Sequence, residues 1–108
     1  MNAVHRNRIF VLTEQPNLHG WGEATLEWKT RAVCACIEDL ERFVIGEDPV
    51  RIQHIVHRMN GFSFWPLGAI GLTAVSRIEQ ALGDIKGKAL GVPVHQLLGG
   101  RVRDYVRI

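Results

Sequence analysis

The chain has 108 residues, 46% hydrophobic and 22% charged, with 13 basic and 11 acidic side chains for a net charge of +2. That balance sets one globular domain, or a piece of a larger one, and excludes a disordered chain. The basic residues are scattered, which speaks against a nucleic-acid surface, and no apolar run approaches the ~20 residues that a membrane crossing needs.

The opening MNAVHRNR is polar and basic and lacks the apolar stretch of a signal sequence. Residues 8–13, RIFVLT, are apolar and β-branched and predict a strand. Pro16 and Asn17 supply a turn, and LHGWGEA (18–24) resumes an extended run, so a β-hairpin is expected. From Thr30 to Ile45 the period changes: Val33, Cys36, Ile37, Leu40 and Val44 form one helical stripe, and Gly46 follows as its stop. Asp48 and Pro49 fit the N-cap and first position of a second helix with the stripe Ile52, Ile55, Val56 and Met59. NGFSFWPLG (60–68) is an aromatic loop. A third helix is expected from about Ala69 to Lys86, burying Leu72 or Val75, Ile78, Leu82 and Ile85. Pro93 opens a short fourth helix that Gly99 and Gly100 stop, and VRDYVRI (102–108) alternates like a strand. The fold class is therefore α+β, a hairpin followed by helices and one lone strand. That strand needs partners for its backbone groups, either from the hairpin or from sequence outside the chain.

Few residues carry obvious chemistry. Glu38, Asp39, Glu41, Glu47 and Asp48 read as a solvated surface, while Glu23, between small and apolar residues, is placed for a partly buried structural ion pair. No HExxH, DxDxDG or paired-carboxylate spacing occurs. His54 and His57 stand at i and i+3 on the second helix but have no third ligand in register, so no metal site is expected. Cys34 and Cys36 are two apart on a helix, do not face each other, and read as reduced thiols in a cytoplasmic setting. The glycines of GDIKGKALGVPVHQLLGG (83–100) match no phosphate-binding pattern, and the lysines stand where a cation favours the helix dipole. Phe62, Phe64 and Trp65 are poorly placed for a helix stripe. They either contact a ligand or another domain, or fold over their own core.

GWGEATLE (20–27), IGEDP (45–49), FWPLGAIGLTAVSRIEQALGDIKGKALGVPV (64–94) and QLLGGRVRDYVRI (96–108) together resemble the N-terminal part of the enolase superfamily. The closest likeness is to its mandelate racemase and galactonate dehydratase-like members, and IEQALGDIKGKALGVPVHQLLGG is the most specific element. The resemblance implies an enolase N-terminal-like capping domain over residues 1–100, an antiparallel sheet with a helical bundle, its first strand missing or reduced to the residues before Arg6. Residues 101–108 would be the start of the first strand of a (β/α) barrel that is absent from the chain. In the family, proton abstraction beside a carboxylate uses Mg²⁺ and bases carried by that barrel. No catalytic or metal-ligating role therefore passes to this chain, and no cofactor is expected to bind it. Two family loops close over the substrate, and by position they match residues 3–8 and 62–67, which makes Asn7, Phe64 and Trp65 the expected substrate-binding residues. Trp65-Pro66-Leu67 stands where sugar-acid dehydratases often carry Arg-Gly-Gly, which argues against galactonate itself. Gly83 replaces a large aromatic of the relatives and Arg77 a glycine. Either a core side chain is lost, or Ser76, Gly83 and Gly87 form a flat packing seam. Functionally the chain reads as the capping fragment of an acid-sugar dehydratase or racemase, with a carboxylate substrate only when a barrel is present. A stand-alone interaction or homo-oligomerisation module and a truncated product without function are the alternatives. No nucleic-acid or membrane partner is expected.

Overall fold

A computed structural model describes residues 8–108. Strands β1 (Arg8–Leu12) and β2 (His19–Glu23) form an antiparallel hairpin in the register Arg8↔Glu23, Phe10↔Trp21, Leu12↔His19. Its turn uses Asn17 at φ 66°, a conformation asparagine tolerates, and the Thr13 hydroxyl donates to the Leu18 carbonyl at 2.8 Å. Successive side chains alternate between the two faces. Ile9, Val11 and the buried Gly20 and Gly22 face the helices, while Phe10 and Trp21 pair on the outer face with ring centroids 4.5 Å apart.

Four helices follow: α1 (Thr30–Leu40), α2 (Ile52–Gly61), α3 (Gly68–Leu90) and α4 (Val94–Leu97). The first is shorter than its stripe predicts, tightening after Leu40 into a single 3₁₀ turn, Glu41–Phe43. Helix α2 starts at Ile52 rather than at Pro49. The Asp48 carboxylate accepts the Val50 N–H at 3.1 Å and its carbonyl accepts the Arg51 N–H at 3.0 Å, so Asp48-Pro49 makes a turn that delivers the chain to the helix. Helix α3 runs four residues beyond the expected Lys86. It ends where Gly91 adopts φ 68° and the Val92 N–H returns to the Gly87 carbonyl at 2.9 Å, a Schellman-type stop.

The stripes meet as their spacing requires. Val33, Leu40, Ile55, Met59, Ala74, Val75, Ile78, Leu82 and Ile85 form one buried core, with Ile9 and Val11 of the hairpin packed on it. Leu72, offered as an alternative to Val75, is exposed. Residues 102–108 form no strand: the segment lies exposed, with Arg101 3.7 Å from Asp104. Alternating side chains alone do not make a strand, because its N–H and C=O groups need a neighbouring ladder.

The glycines of α3 and β2 divide differently from the expected seam. A Cβ on Gly83 would meet nothing within 4 Å, and Ser76 is exposed, so neither belongs to a close-packed seam. Gly87 does, because a Cβ there would come within 2.9 Å of the Val92 carbonyl oxygen. Gly83→Ala should therefore raise stability by about 0.5–1 kcal/mol through helix propensity alone. A urea titration showing no gain would contradict the open environment assigned to that position.

Candidate functional site

The connection between α2 and α3 is fixed at both ends and open in the middle. At its start Phe62 packs against Phe43 (centroids 5.0 Å), and the Arg42 guanidinium sits 4.7 Å from the Phe62 ring. Arg58 pairs with Glu47 and lies 5.7 Å from the Phe43 ring, which extends the same anchor. At its end Leu67 packs on the core and its carbonyl accepts the Gly71 N–H at 3.1 Å, starting α3. Pro66 and Gly68 (φ 59°) bend the chain between these points.

Two side chains project from this frame. Phe64 is 91% exposed and Trp65 is 74% exposed, and their rings meet edge to face at 5.3 Å. A core-covering loop would bury such groups, so their exposure sets the core-covering alternative aside. The pair offers apolar area and exclusion of water, with no acid, base or nucleophile. Of the expected substrate-binding residues, Phe64 and Trp65 come together, whereas Asn7 lies outside the described residues. Glu23 is not the buried ion-pair member expected: it is exposed and its carboxylate accepts the Thr25 hydroxyl at 2.9 Å, because its position faces outward on β2.

Among the described residues no group of three His, Cys, Asp or Glu side chains converges as a metal site. His54 Nε2 stands 3.9 Å from Glu47 Oε2. Burial, reinforced by the nearby Asp39 charge, raises the Cys36 thiol pKa above its ordinary value.

One polar arrangement escaped the sequence reading. Asp84 Oδ2 accepts the Trp21 N–H at 3.1 Å and Lys88 Nζ at 2.7 Å, and Lys88 also donates to the His19 carbonyl at 2.8 Å. The Asp–Lys i,i+4 spacing on α3 was the available signal, but nothing local said that β2 would lie against it. Burial works to raise the Asp84 pKa. The hydrogen bond and charge of Lys88, the Trp21 N–H and the His19 charge outweigh it and hold the carboxyl below its ordinary value. A depressed carboxylate contributes stability that is present above its unfolded pKa and is lost as pH falls through the folded one. The contribution of this half-exposed pair stays below about 1 kcal/mol. Asp84→Asn should accordingly be less stable than the parent at neutral pH and converge with it as pH falls through the lowered pKa of the folded carboxyl. A constant gap between the two denaturation curves down to the lowest pH would contradict this assignment.

Comparison with known proteins places these features. The profile of the mandelate racemase / muconate lactonizing enzyme N-terminal domain matches residues 1–99. A D-galactonate dehydratase from Verminephrobacter eiseniae is 51% identical over 90 residues, which is 83% of this chain and 24% of that protein. One from Xanthomonas campestris pv. campestris strain B100 is 49% identical over 106 residues, 98% of this chain and 28% of that protein. The chain thus spans about a quarter of the length of these curated relatives. Among solved structures, an enolase from Pantoea ananatis with bound D-gluconate and Mg superposes with a TM-score of 0.82 at 40% identity, covering 90% of this chain and 24% of that one. A member of the enolase superfamily from Salmonella Typhimurium gives a TM-score of 0.71 at 39% identity, covering 79% and 23%. With hairpin, helix order and family profile in agreement, the chain belongs to the enolase superfamily, as a mandelate racemase / muconate lactonizing enzyme N-terminal domain.

Proposed function

We propose that this chain is the substrate-closing cap of an acid-sugar dehydratase or racemase, with the proton-abstraction chemistry carried by a barrel that residues 101–108 enter. The observation that carries this reading is the exposed Phe64–Trp65 pair on a loop clamped at both ends. A lid must present apolar area to a ligand while keeping its own base rigid, so that closure expels water without disturbing the domain. Relatives named as D-galactonate dehydratases and a neighbour solved with D-gluconate support an acid-sugar substrate class. Mg²⁺, present in that neighbour, requires several oxygen ligands at one point. The described residues offer no such set, so no step through the metal is assigned to this chain. We place the cap in the cytoplasm, since Cys34 and Cys36 stand two apart on one helix and do not face each other. Among the described residues, no helix is long and apolar enough to cross a membrane. The purified 108-residue chain, supplied with Mg²⁺ and a panel of acid sugars, should give no dehydration or epimerisation above the protein-free rate. Turnover abolished by chelation would overturn the division of labour proposed here.

A second reading, a stand-alone interaction module, is favoured by one specific observation. Val102, Tyr105, Val106 and Ile108 are all exposed on a segment with the side-chain pattern of a strand.

A further inference from the structure

The lid leaves the domain through few contacts. Among the described residues, 63–66 make no hydrogen bond, so the start of the lid is held through the Phe62 ring. That ring is 39% exposed, whereas Phe43, which it meets at 5.0 Å, packs on the core.

Two guanidinium groups reach this aromatic pair, and their charges have different fates. Of the two rings Arg58 reaches only Phe43, at 5.7 Å, and it is paired with Glu47, whose carboxylate also faces His54 Nε2 at 3.9 Å. Arg42 lies over both rings, 5.0 Å from the Phe43 centroid and 4.7 Å from that of Phe62. Among the described residues Arg42 forms no ion pair, although Glu38 and Glu41 stand close to it in sequence. A cation without a carboxylate keeps its full pull on the negative face of a ring. Arg42 comes from the 3₁₀ turn Glu41–Phe43, and Phe62 follows the last residue of α2. One side chain thus ties the α1–α2 connection to the root of the lid.

We propose that Arg42 is a positioning residue of the lid: its guanidinium pins the Phe62 ring onto Phe43 and thereby fixes the direction in which Phe64 and Trp65 leave the domain. This deepens the reading of that pair as a substrate-closing lid and rests on it. A held lid raises the fraction of the protein ready to close, and apparent affinity scales with that fraction. In an enzyme assembled with a barrel, Arg42→Ala should therefore raise KM for an acid sugar and leave kcat unchanged, since the closed complex is the same once formed.

Fluorescence anisotropy decay of the full chain tests the proposal. The chain has three tryptophans, and Trp21→Phe with Trp28→Phe, both at exposed positions, leaves Trp65 as the reporter. In this background Arg42→Ala should raise the ratio of freely moving to held Trp65 by about two- to fivefold, the worth of one exposed cation–π contact. Arg42→Lys keeps the cation and should restore the parent ratio, and Arg58→Ala should leave it unchanged. Should Arg42→Ala lose its fold by circular dichroism, Arg42→Met, which keeps the apolar stem without the charge, decides instead. An unchanged ratio in the Arg42 variant, or an equal rise in the Arg58 variant, would overturn the proposal and leave the lid reading standing. So would a KM unmoved by Arg42→Ala where replacing Phe64 and Trp65 with alanine raises it. If neither change moves KM, the lid reading itself falls.

Discussion

Gly20→Val should abolish the cooperative fold. Strand β2 crosses α3 so closely that a Cβ on Gly20 would overlap the Ala81 carbonyl oxygen and lie 2.9 Å from Ile85 Cγ1, and a Cβ on Gly22 would overlap the Arg77 carbonyl oxygen. The obstacle is helix backbone, which cannot swing aside as a side-chain end can. Forcing extra atoms into a close-packed interface costs about 1–3 kcal/mol when side chains can adjust, and more when they cannot. A domain with about 5–15 kcal/mol of total stability has little margin for that. Either Gly20→Val or Gly22→Val should leave the protein with a broad, non-cooperative thermal transition, while Gly83→Ala on the same helix should sharpen and raise it. Equal stability of the Gly20 variant and the parent would mean that β2 does not pack directly on the α3 backbone.

The second large effect concerns Phe64 and Trp65. Both are exposed, so the double change Phe64→Ala, Trp65→Ala should shift the stability of the isolated chain by no more than about 0.5 kcal/mol. In an enzyme assembled with a barrel, the same change should raise KM for an acid sugar by about tenfold or more. Closure would then lose the apolar contact that expels water from the bound substrate. A loss of stability with unchanged KM would make the pair part of the packing of the cap and remove it from the site. The contrast with Phe62 is informative. Its ring is held by Phe43 and Arg42, so Phe62→Ala should act on stability first.

How far the sequence could be read depended on whether each feature was local. The stripes through Val33 and Leu40, Ile55 and Met59, and Ile78, Leu82 and Ile85 are set by the helical repeat, and all of these residues are buried. Asn17 marks the hairpin turn because it takes a positive φ that few residues accept, whereas α3 runs past the expected Lys86 to its stop at Gly91. The start of α2 is not legible locally, because Asp48-Pro49 is equally good chemistry for a turn and for a helix start. The need for glycine at positions 20 and 22, and the Asp84–Lys88 contact with β2, depend on which elements meet across more than fifty residues of sequence. No window along the chain contains that information. Residues 102–108 show the opposite failure, a correct local pattern without the partner that would turn it into a strand.

The central question is whether this chain can serve as the cap of a working enzyme. Its sequence can replace the matching 106-residue segment of the Xanthomonas campestris D-galactonate dehydratase, 49% identical to it, and turnover can be followed on a panel of acid sugars with Mg²⁺. In that role the graft should dehydrate at least one acid sugar, and its KM should rise when Phe64 and Trp65 are both replaced by alanine. A graft that folds cooperatively and binds Mg²⁺, yet turns over no acid sugar faster than the barrel with its cap removed, would contradict it.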